Sequence, residues 1–296
     1  MAGAWLPSRS GFLGLPAGEA GPTSKADVVV VPFGLEQTVS YGKGAAKGPQ
    51  AIIDASPQLE YFDEELWLQP HERYGLATLK PVKIKKPVAA ALAQLEKLVE
   101  PIVKAGKFPL ILGGEHALTP GAIRPFVKKF ENLTILHFDA HADLRDGYEG
   151  EHYSHAAAMR RCLDFPGVRV VSVGIRNISL EEARFWEKNK KRVSIFWARD
   201  RAGWRAADIV KALGNCPVYL SFDVDAFDSS LMPATGTPEP GGLFWDDVMT
   251  ILRAAIRAKK VVGADVVELA PQKGLHACDY LTAKLCARIL AYRFCR

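Results

Sequence analysis

The sequence predicts a single α/β domain with a mainly parallel β-sheet flanked by helices on both faces. Three observations carry this expectation. Short, β-branched apolar runs alternate with amphipathic stretches of helical length, the pattern of repeated strand–helix units. The runs are apolar at successive positions rather than alternate ones, as strands covered on both faces require. No internal repeat, low-complexity tract or linker divides the 296 residues, a length that one large domain accommodates.

After an N-terminal extension of about 25 residues, strands are expected at Asp27–Val31, Pro109–Leu112, Thr134–Phe138, Val168–Val173, Val218–Phe222 and Val261–Val267. Amphipathic helices are expected between them, at Val88–Lys104, Gly121–Phe130, Ser154–Leu163, Leu180–Asn189, Arg205–Leu213 and Trp245–Ala258. A last helix covers Asp279–Phe294. Ligands of open parallel sheets bind beyond the carboxyl ends of the strands. Chemistry is therefore expected just after Leu112, Phe138, Phe222 and Val267.

Hydrophobic residues make up 48% of the chain, as in a globular protein. The net charge of +5 comes from 38 basic and 33 acidic residues, and gives no reason to expect a nucleic-acid partner. The basic runs Lys83–Lys86 and Lys188–Arg192 read as solvated surface. Cys162, Cys216, Cys278, Cys286 and Cys295 form no CxxC pair and read as reduced thiols. The first fifteen residues lack the basic start and unbroken apolar stretch of a signal peptide, and no run is long enough to span a membrane. A cytoplasmic protein without a membrane partner is expected.

Polar clusters stand where the strand ends should be. His137-Phe138-Asp139-Ala140-His141-Ala142-Asp143 follows the third run. On an extended chain, residues two apart share a face, so Asp139, His141 and Asp143 can converge. Asp223 and Asp225 share a face after the fifth run, and His116 follows Gly113-Gly114-Glu115, where glycines allow close backbone approach. A lone aspartate at a strand end is usually a turn or cap residue. Four carboxylates in one pocket are another matter, because they repel each other unless cations neutralise them. Carboxylates mixed with imidazoles suit Mn²⁺ and its neighbours, and six ligands suit two bridged ions better than one.

These blocks resemble the ureohydrolase (arginase/agmatinase) family. The similarity rests on GGEH at 113–116, DAHAD at 139–143, SFDVD at 221–225 and TGTPEPGGL at 235–243. SYGKGAAKGPQAI at 40–52, YSHAAAMRR at 153–161 and VVELAP at 266–271 resemble its agmatinase branch. The likeness runs from about Phe12 to the end.

The resemblance implies a two-manganese hydrolase that cleaves a guanidinium group to urea and an amine. It implies that His116 and Asp143 hold one ion, that His141 and Asp225 hold the other, and that Asp139 and Asp223 bridge them. Glu268 would grip the substrate guanidinium through a bidentate, charge-assisted pair. Asp143 and His155 would handle protons. A homo-oligomer, trimer or hexamer, is implied by analogy alone. Glu115 stands where many relatives have Asp, and Ala117 where many have Ser; both changes fall beside ligands rather than on them.

A deacetylase on a similar fold, needing one metal site, and a relative that binds without turnover are the competing readings. The filled six-ligand set argues against both. The loop Leu144–Glu151 decides the expected substrate. Its Asp146, Glu149 and Glu151 would attract a distal ammonium, with Tyr148 or Tyr153 packing on a methylene chain. Agmatine or its aminopropyl derivative is expected over arginine. Arg145, turned inward, would favour guanidinobutyrate instead.

Overall fold

The computed structural model describes residues 4–19 and 23–295. The first three residues and residues 20–22 of the N-terminal extension lie outside it. All six expected runs are strands of one eight-stranded sheet. The strands are β1 (Val28–Phe33), β2 (Leu76–Thr78), β3 (Phe108–Gly113), β4 (Leu133–Phe138), β5 (Val168–Ile175), β6 (Val193–Trp197), β7 (Val218–Asp223) and β8 (Val261–Val267). Their order is β2-β1-β3-β8-β7-β4-β5-β6, and every pairing is parallel. The helices are α1 (Gly48–Ala55), α2 (Val88–Lys104), α3 (Thr119–Lys129), α4 (Ala158–Cys162), α5 (Leu180–Asn189), α6 (Ala206–Ala212), α7 (Trp245–Ala258) and α8 (His276–Phe294).

The central strands are mostly apolar on both faces because each side feeds a separate core. Val28 and Val30 of β1 pack on one side of the sheet with residues of α1, α7 and α8. Val29, Val31 and Phe33 pack on the other with α2 and α3. Prolines sit where the ladder spares them. The Val30 carbonyl accepts the Leu79 N–H on the β2 side. Pro32, two residues on, faces that same side after the β1–β2 pairing has ended at Val30.

Two strands escape the sequence pattern. β2 has three residues on one edge, and β6, on the other edge, is only partly covered. Neither offers a long doubly apolar run. The expected helix at Ser154–Leu163 divides into a 3₁₀ turn, His155–Ala157, and the short α4. α1 begins at Gly48-Pro49, with proline at the helix start where its missing N–H costs nothing. In the N-terminal segment, Phe12, Leu13 and Leu15 are buried in the α1/α8-side core, and the Phe12 N–H donates to Thr78 Oγ1 at 3.0 Å. Among the described residues no helix is long and apolar enough to cross a membrane.

Candidate metal centre

Four neighbouring strands in the middle of the sheet, β3, β8, β7 and β4, direct their carboxyl ends at one pocket. The loop after β3 carries His116, that after β4 carries Asp139, His141 and Asp143, β7 ends in Asp223 and leads to Asp225, and Glu268 follows β8. Gly114 is required at the first of these. A Cβ there would lie 1.9 Å from the Leu35 carbonyl oxygen.

The hydrogen bonds around His116 determine what its ring can do. The Ser221 hydroxyl donates to Asp265 Oδ1 at 2.7 Å, which commits its one proton. His116 Nε2, 2.9 Å from Ser221 Oγ, must then be the donor of that pair. Nδ1 is left bare. It lies 3.0 Å from Asp139, 3.1 Å from Asp143 and 3.3 Å from Asp223, yet it is a buried atom aligned with none of them in a hydrogen bond. A lone pair facing three carboxylates is the coordination of a cation, so these residues fit a metal ion. Burial opposes charge on His116, but the Asp139, Asp143 and Asp223 carboxylates hold its pKa well above the imidazole range.

A second group adjoins the first. His141 Nδ1 is 2.9 Å from Asp225 and 3.5 Å from Asp139. Burial lowers its pKa, but the Asp225 and Asp139 carboxylates push it up to about 12. Donor atoms of His116, His137, Asp139 and Asp143 lie within 4.8 Å of one another, as do those of Asp139, His141 and Asp225. Asp139, 1% exposed, belongs to both groups. Asp223 borders them, its Oδ1 accepting the Asp225 N–H at 2.9 Å. The carboxylates cannot all ionise unaided. Burial first and the Asp139 charge second lift Asp143 to about 6; burial, then Asp225 and Asp139, lift Asp223 well above the carboxylate range.

His137 was not singled out in the sequence. It is buried within β4, with Nε2 2.8 Å from Asp139 and Nδ1 3.0 Å from Ser172 Oγ. Its position in the same His-x-Asp run was the available signal.

Two of the acidic residues adopt left-handed backbone, Asp143 at φ 53° and Glu268 at φ 67°. Such conformations cost about 1–3 kcal/mol each and persist only when the surroundings impose them. The Asp143 carbonyl accepts the Arg160 N–H at 2.9 Å, and the next N–H, of Leu144, donates to Glu182 at 2.9 Å. The Glu268 N–H donates to the Gly114 carbonyl at 2.8 Å, while its Oε1 accepts the His116 N–H at 2.6 Å. Burial, then the Glu115 charge, lift Glu268 well above the carboxylate range. His155 stands on the same pocket wall, and burial pushes its pKa down to about 4, which leaves the ring neutral.

The pocket is also lined by Val39–Gly42 and by Gly236-Thr237. The Gly42 N–H donates to the Gly236 carbonyl at 3.1 Å, and a Cβ on Gly42 would come within 2.7 Å of that oxygen. The loop after Asp143 stands differently from the sequence expectation. Asp146 is paired with Arg161 at 2.8 Å and Arg160 at 3.5 Å, so most of its charge is already engaged. Arg145 lies over the Tyr148 ring at 4.8 Å, with Nε 4.0 Å from Glu182. Tyr148 is edge-on to His155, ring centroids 6.2 Å apart.

The profile of the Arginase family matches residues 26–295. The chain belongs to the arginase family. It is 39% identical to an N(1)-aminopropylagmatine ureohydrolase of Synechocystis over 281 residues, covering 91% of this chain and 90% of the relative. It is 33% identical to an agmatinase of Bacillus subtilis, covering 83% and 84%. Among solved structures, the agmatine ureohydrolase of Thermoplasma volcanium superposes with a TM-score of 0.83 at 32% identity, covering 93% of each chain.

This arginase-family centre rests on a buried acid inside a strand. Asp265 of β8 is fully buried and accepts hydroxyl protons from Ser221 at 2.7 Å, Tyr219 at 2.8 Å and Thr119 at 3.0 Å. Asp265→Ala strands three buried hydroxyls and frees Nε2 of His116 from its fixed role. We expect a loss of about 3 kcal/mol in stability and roughly 10–100-fold weaker metal binding. Urea denaturation and a Mn²⁺ titration check this; an unchanged midpoint with unchanged affinity would refute the role.

Proposed function

We propose that this arginase-family hydrolase cleaves the guanidinium of a guanidino-amine, agmatine or aminopropylagmatine, to urea and a polyamine. The observation that carries the proposal is the pair of adjacent donor groups sharing Asp139, with Glu268 on the wall of the same pocket. The relatives named for those two activities support the substrate class.

In this reading the centre holds two Mn²⁺ ions per chain. His116 and Asp143 would hold one and His141 and Asp225 the other, with Asp139 and Asp223 available to both. When bound, the ions lower the pKa of a water towards neutrality and offset the carboxylate charge. Asp143 accepts a hydrogen bond from the attacking water. Glu268 orients the guanidinium, whose positive charge the acidic pocket attracts rather than repels. His155 or Asp143 returns a proton to the departing amine. Arg145, held by Glu182 and Tyr148, is poorly disposed to serve a substrate carboxylate, which supports the amines over guanidinobutyrate.

We read the enzyme as cytoplasmic, in keeping with five unpaired cysteines, and as a trimer or hexamer. The exposed ring pair Phe62–Trp67 offers apolar surface to a second copy. The deciding experiment strips the protein with chelator, reloads it with Mn²⁺ or a competing divalent ion, and measures urea release from four compounds. Mn²⁺ is expected to restore the most activity. Agmatine and aminopropylagmatine are expected to exceed arginine and guanidinobutyrate by at least about 10²-fold in kcat/KM. Full activity in verified metal-free protein, or arginine matching the better amine, would overturn the reading.

A further inference from the structure

Glu115 is completely buried beside the metal centre, yet it holds no place in the donor groups. Its carboxylate instead receives three donors. Oε1 accepts the Gln37 N–H at 3.0 Å, and Oε2 accepts the Thr38 N–H at 2.8 Å and the Thr38 hydroxyl at 2.9 Å. That last bond commits the only proton Thr38 Oγ1 owns. Its two lone pairs remain, and both are directed at His155. Oγ1 accepts the His155 main-chain N–H at 3.0 Å and lies 3.1 Å from His155 Nδ1. With the hydroxyl proton already given away, the Nδ1 contact is a hydrogen bond only if Nδ1 carries the hydrogen, and Ser154 Oγ, the farther neighbour at 3.4 Å, can accept from the same N–H. The other nitrogen, Nε2, then presents a lone pair. It lies 3.5 Å from Ser40 Oγ, and both residues line the pocket.

We propose that Glu115, acting through the Thr38 hydroxyl, fixes His155 as the Nδ1–H tautomer with its Nε2 lone pair turned to the pocket. Both are positioning residues for the proton step assigned to His155, and in that respect the proposal rests on the function given above. A base oriented through its second nitrogen by a third group is a general device of proton-transfer sites. Here the third group is an acid one hydroxyl away. In the step it serves, Nε2 takes up one proton and passes one to the departing nitrogen, so the ring ends neutral with Nδ1 still protonated.

The test is the tautomer itself, read from imidazole ¹⁵N shifts of histidine-labelled protein loaded with diamagnetic Mg²⁺. His155→Asn assigns the resonances by deleting them. We expect Nδ1 in the protonated range and Nε2 in the bare range. Thr38→Val keeps the side-chain volume but removes the relay, and should move the ring towards the Nε2–H form. Its kcat in the Mn²⁺ enzyme should fall roughly 10–100-fold with little change in KM, the usual scale for groups that orient a reacting residue, and Thr38→Ser should restore both tautomer and rate. A wild-type ring in the Nε2–H form overturns the proposal, as does a Thr38→Val ring that keeps Nδ1–H. If His155→Asn retains full activity, the proton-handling role fails while the tautomer result stands, so the two ideas are separable.

Discussion

Asp139→Asn is expected to lower kcat by about 10³-fold or more, equivalent to roughly 4 kcal/mol of transition-state stabilisation. The expectation follows from position. One Asp139 oxygen lies 3.0 Å from His116 Nδ1 and the other 3.5 Å from His141 Nδ1, so a single carboxylate serves both donor groups. The amide keeps the shape and removes the charge. Burial argues for a tight effect: no water is available to replace a lost ligand oxygen without cost. Metal content should fall below the wild-type level. Elemental analysis together with urea release settles the matter. A loss below tenfold, with metal content intact, would show that Asp139 is not shared between ions.

Glu268→Gln should act on the substrate rather than on the ions. Removing one member of a buried charge pair costs about 2–5 kcal/mol, so kcat/KM for the guanidino-amine should drop by roughly 30- to several-thousand-fold. Metal content should stay at the wild-type level. The backbone at φ 67° provides a second, independent readout. Glu268→Gly relieves the left-handed strain but leaves the buried His116 N–H without its acceptor, so it should lose activity like the glutamine variant with only a small net change in stability. A glycine variant that is strongly destabilised would mean that Glu268 serves the fold first. Unchanged KM and kcat in the glutamine variant would remove it from substrate binding altogether.

Much of this was legible in the sequence because the central strands are long, apolar on both faces and followed by acids. β3, β4, β7 and β8 all satisfy that description, and together they define the pocket. Legibility failed where burial is partial: β6 shows one fully buried residue, and β2 has too few residues to set a period. It failed for Asp265 because an acid inside an apolar run was absorbed into the strand, although a buried carboxylate is costly without partners and therefore informative. Extended-chain reasoning brought Asp139, His141 and Asp143 together, but it did not foresee that Asp143 adopts a left-handed turn. The charges of the 144–151 loop were visible, whereas their pairing with Arg160, Arg161 and Glu182 depends on α4 and α5 and cannot be read locally. Thr38 carried no signal of its own, since a hydroxyl 117 positions from its histidine becomes meaningful only in three dimensions.

The Gly42–Gly236 contact has a consequence for which molecules can enter. Side chains at a gate can rotate aside, but two main-chain segments joined edge to edge cannot yield without breaking their own hydrogen bond. This part of the pocket lining is therefore less adjustable than a side chain would be. Under the proposed function, a slender, unbranched polymethylene tail demands least adjustment of it, whatever the length of that tail. A tail branched by a carboxylate beside its amine demands more. Tyr41, 80% exposed and next to Gly42 in the lining, is by contrast free to turn towards or away from an incoming tail.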